Sequence, residues 1–356
     1  MKRELIMKKN KTNYVSVGGQ ALMEGIMMNG PKGRAIALRL PDGSIEVSEK
    51  KFTPLKEKYK IFGIPVLRGI VGFIETLIFG YKCLMESAEK TGMDIGEDDG
   101  EDMSKLDRWI TDHFGEKMMS VIGAISMVLG IALAFALFVW MPTFLFDLIN
   151  KWANGSIAML RTVFEGALRI IIFVLYMVIV ARMKEIKRVY MYHGAEHKSI
   201  FCFESGEPLT VENVRKQKRF HPRCGTSFIF VMIILSIIIS SVVAFAFPQL
   251  TTIRPLWIAV KLLIMPLVMG LGYEFIKYAG CHDNILVKIL SAPGLWMQRI
   301  TTAEPTDDMI EVGIAAINAV IEHPESESKS ETKTDCQETS AMSQEDTDAS
   351  GDDEQK

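Results

Sequence analysis

The chain has 356 residues, 49% hydrophobic and 23% charged, with a net charge of −3 and a mean hydropathy of +0.19. The charges avoid two long tracts, residues 118–146 and 224–253. Apolar runs of about 20 residues are membrane spans by length alone, which excludes a simple cytosolic globule, a collagen-like chain and a wholly disordered one.

Residues 1–58 read as a soluble N-terminal region. The basic start lacks the apolar core of a signal peptide and is expected to be retained. Residues 35–40 and 44–48 predict a β-hairpin around Pro41-Asp42-Gly43, which carries turn chemistry. Before it, the glycine-bounded stretch from Gly18 to Gly25, with Gly18, Gly19, Gln20 and Glu24, predicts a loop. Its backbone either approaches a ligand closely or packs on the membrane domain.

Within residues 59–118, the apolar segment 61–85 carries Arg68, Glu75 and Lys82 at seven-residue intervals, which puts the charges on one helical face. Such a helix lies in the interface or spans with its stripe toward other helices; the interfacial placement is preferred. An acidic loop, 94–102, follows.

Four spans are predicted at residues 119–145, 160–181, 226–247 and 256–275. The second carries Arg161, Glu165 and Arg169 at i, i+4 and i+8, a stripe that faces protein or water or sits at headgroup level. Residues 182–225 form a connection whose first 42 residues hold ten basic side chains. The positive-inside rule therefore places this connection and both termini in the cytoplasm. Residues 277–322 read as a cytosolic helical region. Residues 323–356, with eleven acids against three lysines, read as a disordered tail. The predicted fold class is an α-helical polytopic membrane protein with a small β-containing cytosolic region.

The basic connection holds the chemistry. In Tyr192-His193-Gly194-Ala195-Glu196-His197-Lys198, a helix puts His193 and His197 one turn apart, able to bind one ion through two imidazoles. Glu196 suits a ligand, an orienting partner or a general base. The letters match the H-x-x-E-H pattern of inverted zincins, although Gly194 weakens the helix. In His221-Pro222-Arg223-Cys224-Gly225-Thr226, His221 and Cys224 are zinc-type ligands three apart on a tight knuckle. Glu274, at the inner end of the fourth span, is a further ligand or an ion-pair partner. Cys281-His282-Asp283 is a weaker metal trio, and His113 and His323 read as plain surface residues. The scattered cysteines Cys83, Cys202, Cys224, Cys281 and Cys336 make no disulfide framework. Arg215, Lys216, Lys218 and Arg219 suit anionic headgroups or simple topology setting. No nucleic-acid motif accompanies them.

These motifs, together with Gly18-Gly19-Gln20-Ala21-Leu22-Met23-Glu24-Gly25-Ile26-Met27-Met28, the run from Pro293 to Thr302 containing Leu295-Trp296-Met297, Glu304-Pro305 and Glu311-Val312-Gly313, resemble the YqhQ-like family of bacterial membrane proteins. The resemblance covers residues 15–321. It implies a domain of unknown function, described as a metal-dependent enzyme without an assigned substrate, and its histidine-rich motifs fall on His193, Glu196, His197, His221 and Cys224.

The expected function is metal-assisted hydrolysis, with a divalent ion of the zinc type, of a membrane-associated peptide or lipid at the cytosolic face of a bacterial cytoplasmic membrane. His193 and His197 bind the ion, with His221 or Cys224 as third ligand, and Glu196 acts as base. The rivals are a scaffold or chaperone with a closed structural His/Cys site and, third, a transporter using the Arg161 stripe.

Overall fold

The structure is a computed structural model that describes residues 17–50, 55–92, 125–221, 224–281 and 284–321. The acidic loop at 94–102, His113, His282, Asp283 and the acidic tail lie outside the described residues.

The N-terminal region is a four-stranded antiparallel meander, β1 (Gly18–Leu22), β2 (Gly25–Gly30), β3 (Gly33–Arg39) and β4 (Ile45–Lys50), in the order β1-β2-β3-β4. The expected hairpin is its second half. The stretch from Gly18 to Gly25, expected as a loop, is instead β1 and the turn into β2, with Gly19 opposite Met28 and Leu22 opposite Gly25. Both sheet faces are covered, so the central strands read as continuous apolar runs rather than alternating ones. Ile26, Met28, Ala35 and Ala37 face one apolar cluster; Leu22, Met27, Ile36 and Leu38 face another.

The second cluster is closed by α1 (Leu67–Lys90) through Phe79, Cys83 and Leu84. Lys50–Glu86 at 2.9 Å and Lys90–Glu46 at 2.7 Å fasten β4 to the end of α1. Its three regularly spaced charges take different roles: Arg68 pairs with Glu274, Glu75 accepts the Leu55 N–H at 2.7 Å, and Lys82 is exposed.

Among the described residues, four helices are long and apolar enough to cross a membrane: Ile125–Trp152, Ala158–Val180, Phe228–Ala246 and Arg254–Ala279. α1 is not among them. We label as α2 the helix Ile125–Trp152, with a π-turn at Ala136–Trp140 just before Pro142, where the proline's missing N–H interrupts the ladder. α3 is Arg161–Val180.

The basic connection, expected as a loop carrying motifs, is mostly helical: α4 (Lys184–Ser205) and α5 (Val211–Lys216). α4 stops at Gly206, whose φ of 71° supplies the left-handed cap. α6 (Gly225–Ala246) and α7 (Arg254–Cys281) are the remaining apolar helices. α8 (Ile285–Thr301) packs along α6, and α9 (Asp307–Val320) packs on α4 and the sheet. Tyr192, Ala195 and Ile200 of α4 join Met309, Val312, Ala316 and Ile317 of α9 under β2 and β3. The result is a three-layer unit, α1 on one face of the sheet and α4 with α9 on the other.

Candidate metal centre

α4 supplies two of the three groups that converge. It tolerates Gly194 because a residue with a side chain does not fit there: a Cβ on Gly194 would lie 2.0 Å from the Ala303 carbonyl oxygen. That contact brings the end of α8 against α4, where the Ala303 N–H donates to the Tyr190 carbonyl at 2.8 Å. The segment past α8 thereby reaches His193.

His193 and His197 stack edge to face with ring centroids 4.4 Å apart. His193 Nδ1 is 2.8 Å from the Thr301 carbonyl, and His197 Nδ1 is 2.5 Å from the Arg219 carbonyl. A carbonyl only accepts, so both rings carry their proton on Nδ1 and leave the Nε2 lone pair available. His193 Nε2 lies 3.2 Å from Cys224 Sγ, and His197 also hydrogen-bonds that thiol. Burial holds the His197 pKa below the ordinary value, with the Cys224 hydrogen bond opposing; the neutral ring is the form that ligates.

The ligand atoms of His193, His197 and Cys224 all lie within 4.8 Å of one another. The edge of a zinc tetrahedron between nitrogen and sulfur is about 3.5 Å, from bond lengths of about 2.0 and 2.3 Å. The donor set therefore fits an ion of that type, with three protein ligands among the described residues.

His221 does not join this group. It is buried, with Nε2 3.5 Å from Glu204 Oε2, and its backbone is clamped by Gln298. The His221 N–H donates to Gln298 Oε1 at 2.7 Å and the Gln298 amide donates to the His221 carbonyl at 2.8 Å. The His221 and His197 ring centroids are 5.7 Å apart.

Glu196 turns toward the sheet. It is 5% exposed and accepts a hydrogen bond from the Gly19 N–H. Burial pushes its pKa up to about 7, opposed by neighbouring His193 and by the Gly19 amide. Its Oε2 has no hydrogen-bond partner among the described residues. Gly19 is needed for this approach: a Cβ there would be 2.5 Å from the Met27 carbonyl and 3.2 Å from Glu196 Oε1.

The other sequence candidates hold the frame. Glu24 binds Arg188 and accepts from the Tyr192 hydroxyl at 3.1 Å, fixing the β1–β2 turn to α4. Gln20 lies against Gly80 of α1, whose added Cβ would be 2.4 Å from its Oε1, while Gly18 meets open space. Glu274 takes both Arg68 nitrogens, Nε at 2.7 Å and Nη2 at 2.6 Å, and also accepts from the Val66 N–H at 3.4 Å.

Sequence reasoning missed the Thr301 and Arg219 carbonyls, Gln298, Glu204 and the buried Lys198, which binds Glu304 and donates to the Arg215 carbonyl at 2.9 Å. It also missed an apolar groove of about 390 Å³ lined by Phe220, Ala292, Leu295, Trp296 and Arg299. The groove's walls are the same two backbone segments that orient the histidines.

The family profile described as "Protein of unknown function (DUF1385)" matches residues 64–323. The chain is 35% identical over 312 residues to the uncharacterized protein YqhQ of Bacillus subtilis (strain 168), covering 85% of this chain and 92% of that protein. No solved structure matches.

Proposed function

The chain belongs to the DUF1385 family, and from that premise we propose that it is a multi-pass protein of a bacterial cytoplasmic membrane that hydrolyses a membrane-associated peptide or lipid. The observation that carries this reading is the convergence of His193, His197 and Cys224, three protein ligands among the described residues, the number that catalytic zinc sites have where closed structural sites have four. A bound divalent ion of the zinc type supplies Lewis acidity to the substrate and lowers the pKa of water.

The chain's own residues do the rest. The Thr301 and Arg219 carbonyls lock the two imidazoles. The base in this reading is Glu196, which is anchored to Gly19 near His193 and whose Oε2 has no hydrogen-bond partner among the described residues. The groove with Trp296 and Leu295 favours an apolar substrate portion, and Arg299 at its edge suits an anionic group. In this reading the four apolar helices span the bilayer, with α4, α5 and both termini cytoplasmic and the turn at Asn154 outside. No nucleic acid is involved. A closed four-ligand scaffold site would need His221 to leave Glu204.

Glu196→Gln tests the reading. The amide keeps the shape but accepts no proton. Metal content and stability should persist while the cellular activity is lost. Activity that survives with metal still bound would remove Glu196 as the base. Thiol labelling should reach a cysteine placed at Asn154 from the outside, and Cys224 only from the inside; labelling of both from outside would overturn the topology.

A further inference from the structure

A second polar centre lies among the apolar helices, remote from the histidines. Arg161 begins α3, and Arg169 follows eight residues on, about 12 Å along the axis at 1.5 Å per residue. Arg161 Nη2 pairs with Asp147 of α2 at 2.6 Å and Arg161 Nε with Glu165 at 3.1 Å. Lys261 of α7 pairs with the other Glu165 oxygen and donates to Thr143 at 3.3 Å. Asp147 also binds Arg254, at 2.7 Å, whose side chain is 43% exposed at the first residue of α7.

Arg169 has no carboxylate within ion-pair distance among the described residues. It donates to the Phe138 carbonyl at 2.9 Å and, at 3.4 Å, to Ser236 Oγ. The interior group is thus Arg161, Arg169 and Lys261 against Asp147 and Glu165, one positive charge in excess. An uncompensated charge in an apolar bundle costs several kcal/mol in order of magnitude, so a compensating anion is favoured.

The space for one exists. A cavity of about 10 Å³ is lined by Thr162, Glu165, Arg169, Ser236, Ser240 and Lys261. That volume is about one water-sized particle, too small for phosphate or a carboxylic acid. Both Glu165 oxygens are already taken, by Arg161 and Lys261. Thr162 is held by Ser241 at 2.7 Å. Ser240 is buried and lines the cavity, which puts a second hydroxyl at its wall.

We propose that this cavity binds one monatomic anion of the chloride type, held by the Arg169 guanidinium, the Lys261 ammonium and the hydroxyls of Ser236 and Ser240. The anion balances the excess charge and ties α3, α6 and α7 together. The site is independent of the metal centre.

The test is radiolabelled chloride binding to the full chain in detergent, beside thermal unfolding in sodium chloride against sodium gluconate at equal ionic strength. Saturable binding approaching one chloride per chain is expected, with Tm rising over the same range. Ser236→Ala with Ser240→Ala should weaken binding about a hundredfold or more, since each hydroxyl donates to a charged acceptor, and Arg169→Met should abolish it. Where Arg169→Met fails to fold, the serine pair decides. Absence of saturable binding, or binding unchanged in the serine pair, would overturn the site.

Discussion

Gly194 and Ala303 meet backbone to backbone: a methyl group on Gly194 would stand 2.0 Å from the Ala303 carbonyl oxygen. Alanine is the better helix former by about 1 kcal/mol, yet here Gly194→Ala should destabilise by about 2 kcal/mol, because neither backbone can give way without moving the other. The displaced segment carries the Thr301 carbonyl, so metal content should fall as well. Thermal unfolding and elemental analysis check both; a more stable, metal-replete variant would refute the contact.

Metal content should also separate the neighbouring histidines. His193→Ala, His197→Ala and Cys224→Ser should each reduce bound metal to near background. His221→Ala should retain it at near the parent level while losing stability, because His221 is packed against Glu204 and Phe201 instead. X-ray absorption should count three protein ligands and one lighter donor. Equal metal loss in all four variants would instead indicate a closed His3Cys site.

Arg68 and Glu274 join α1 to α7 across 206 residues of sequence. Their side chains are 20% and 25% exposed, so each single alanine substitution should cost about 2 kcal/mol, below the 3–5 kcal/mol of a fully buried broken pair. The double variant should cost less than the two singles together. Strict additivity in a denaturation cycle would show that the pair is not coupled.

Cys83 reports on the seating of α1. Burial against the sheet pushes its thiol from 9.0 up to about 11. The sign follows directly: a folded pKa raised above the unfolded one contributes stability that is fully present below pH 9 and lost as pH rises through 11. Iodoacetamide at pH 8 should leave Cys83 unmodified in the folded protein and alkylate it in denaturant. Rapid labelling of folded protein would place α1 off the sheet.

How much of this was legible in the residues depends on which kind of group does the work. The apolar helices were, because length and hydropathy are local properties. The i, i+4 spacing of His193 and His197 was too, since it needs only a helix. Gly194 counted against that helix, because the reason for it lies more than a hundred residues away in Ala303. β1 and β2 were missed: with both sheet faces covered, Ile26-Met27-Met28 shows no alternation, and the glycines mark close approaches rather than a loop. Glu274 was recognisable as a carboxylate needing a partner, but Arg68 as that partner was not. Backbone carbonyls have no letter of their own, so Thr301 and Arg219 could not be named as the groups that orient the rings.

The site's neighbours also fix an order of events during synthesis. His193 and His197 leave the ribosome long before Thr301, whose carbonyl sets one ring, whereas Gly19, which meets Glu196, is made near the beginning. A nascent chain halted before α8 therefore holds the H-x-x-E-H letters without a fixed first imidazole. The cluster takes its described geometry only when the end of α8 returns to α4, so it belongs to the finished fold and not to the helix alone.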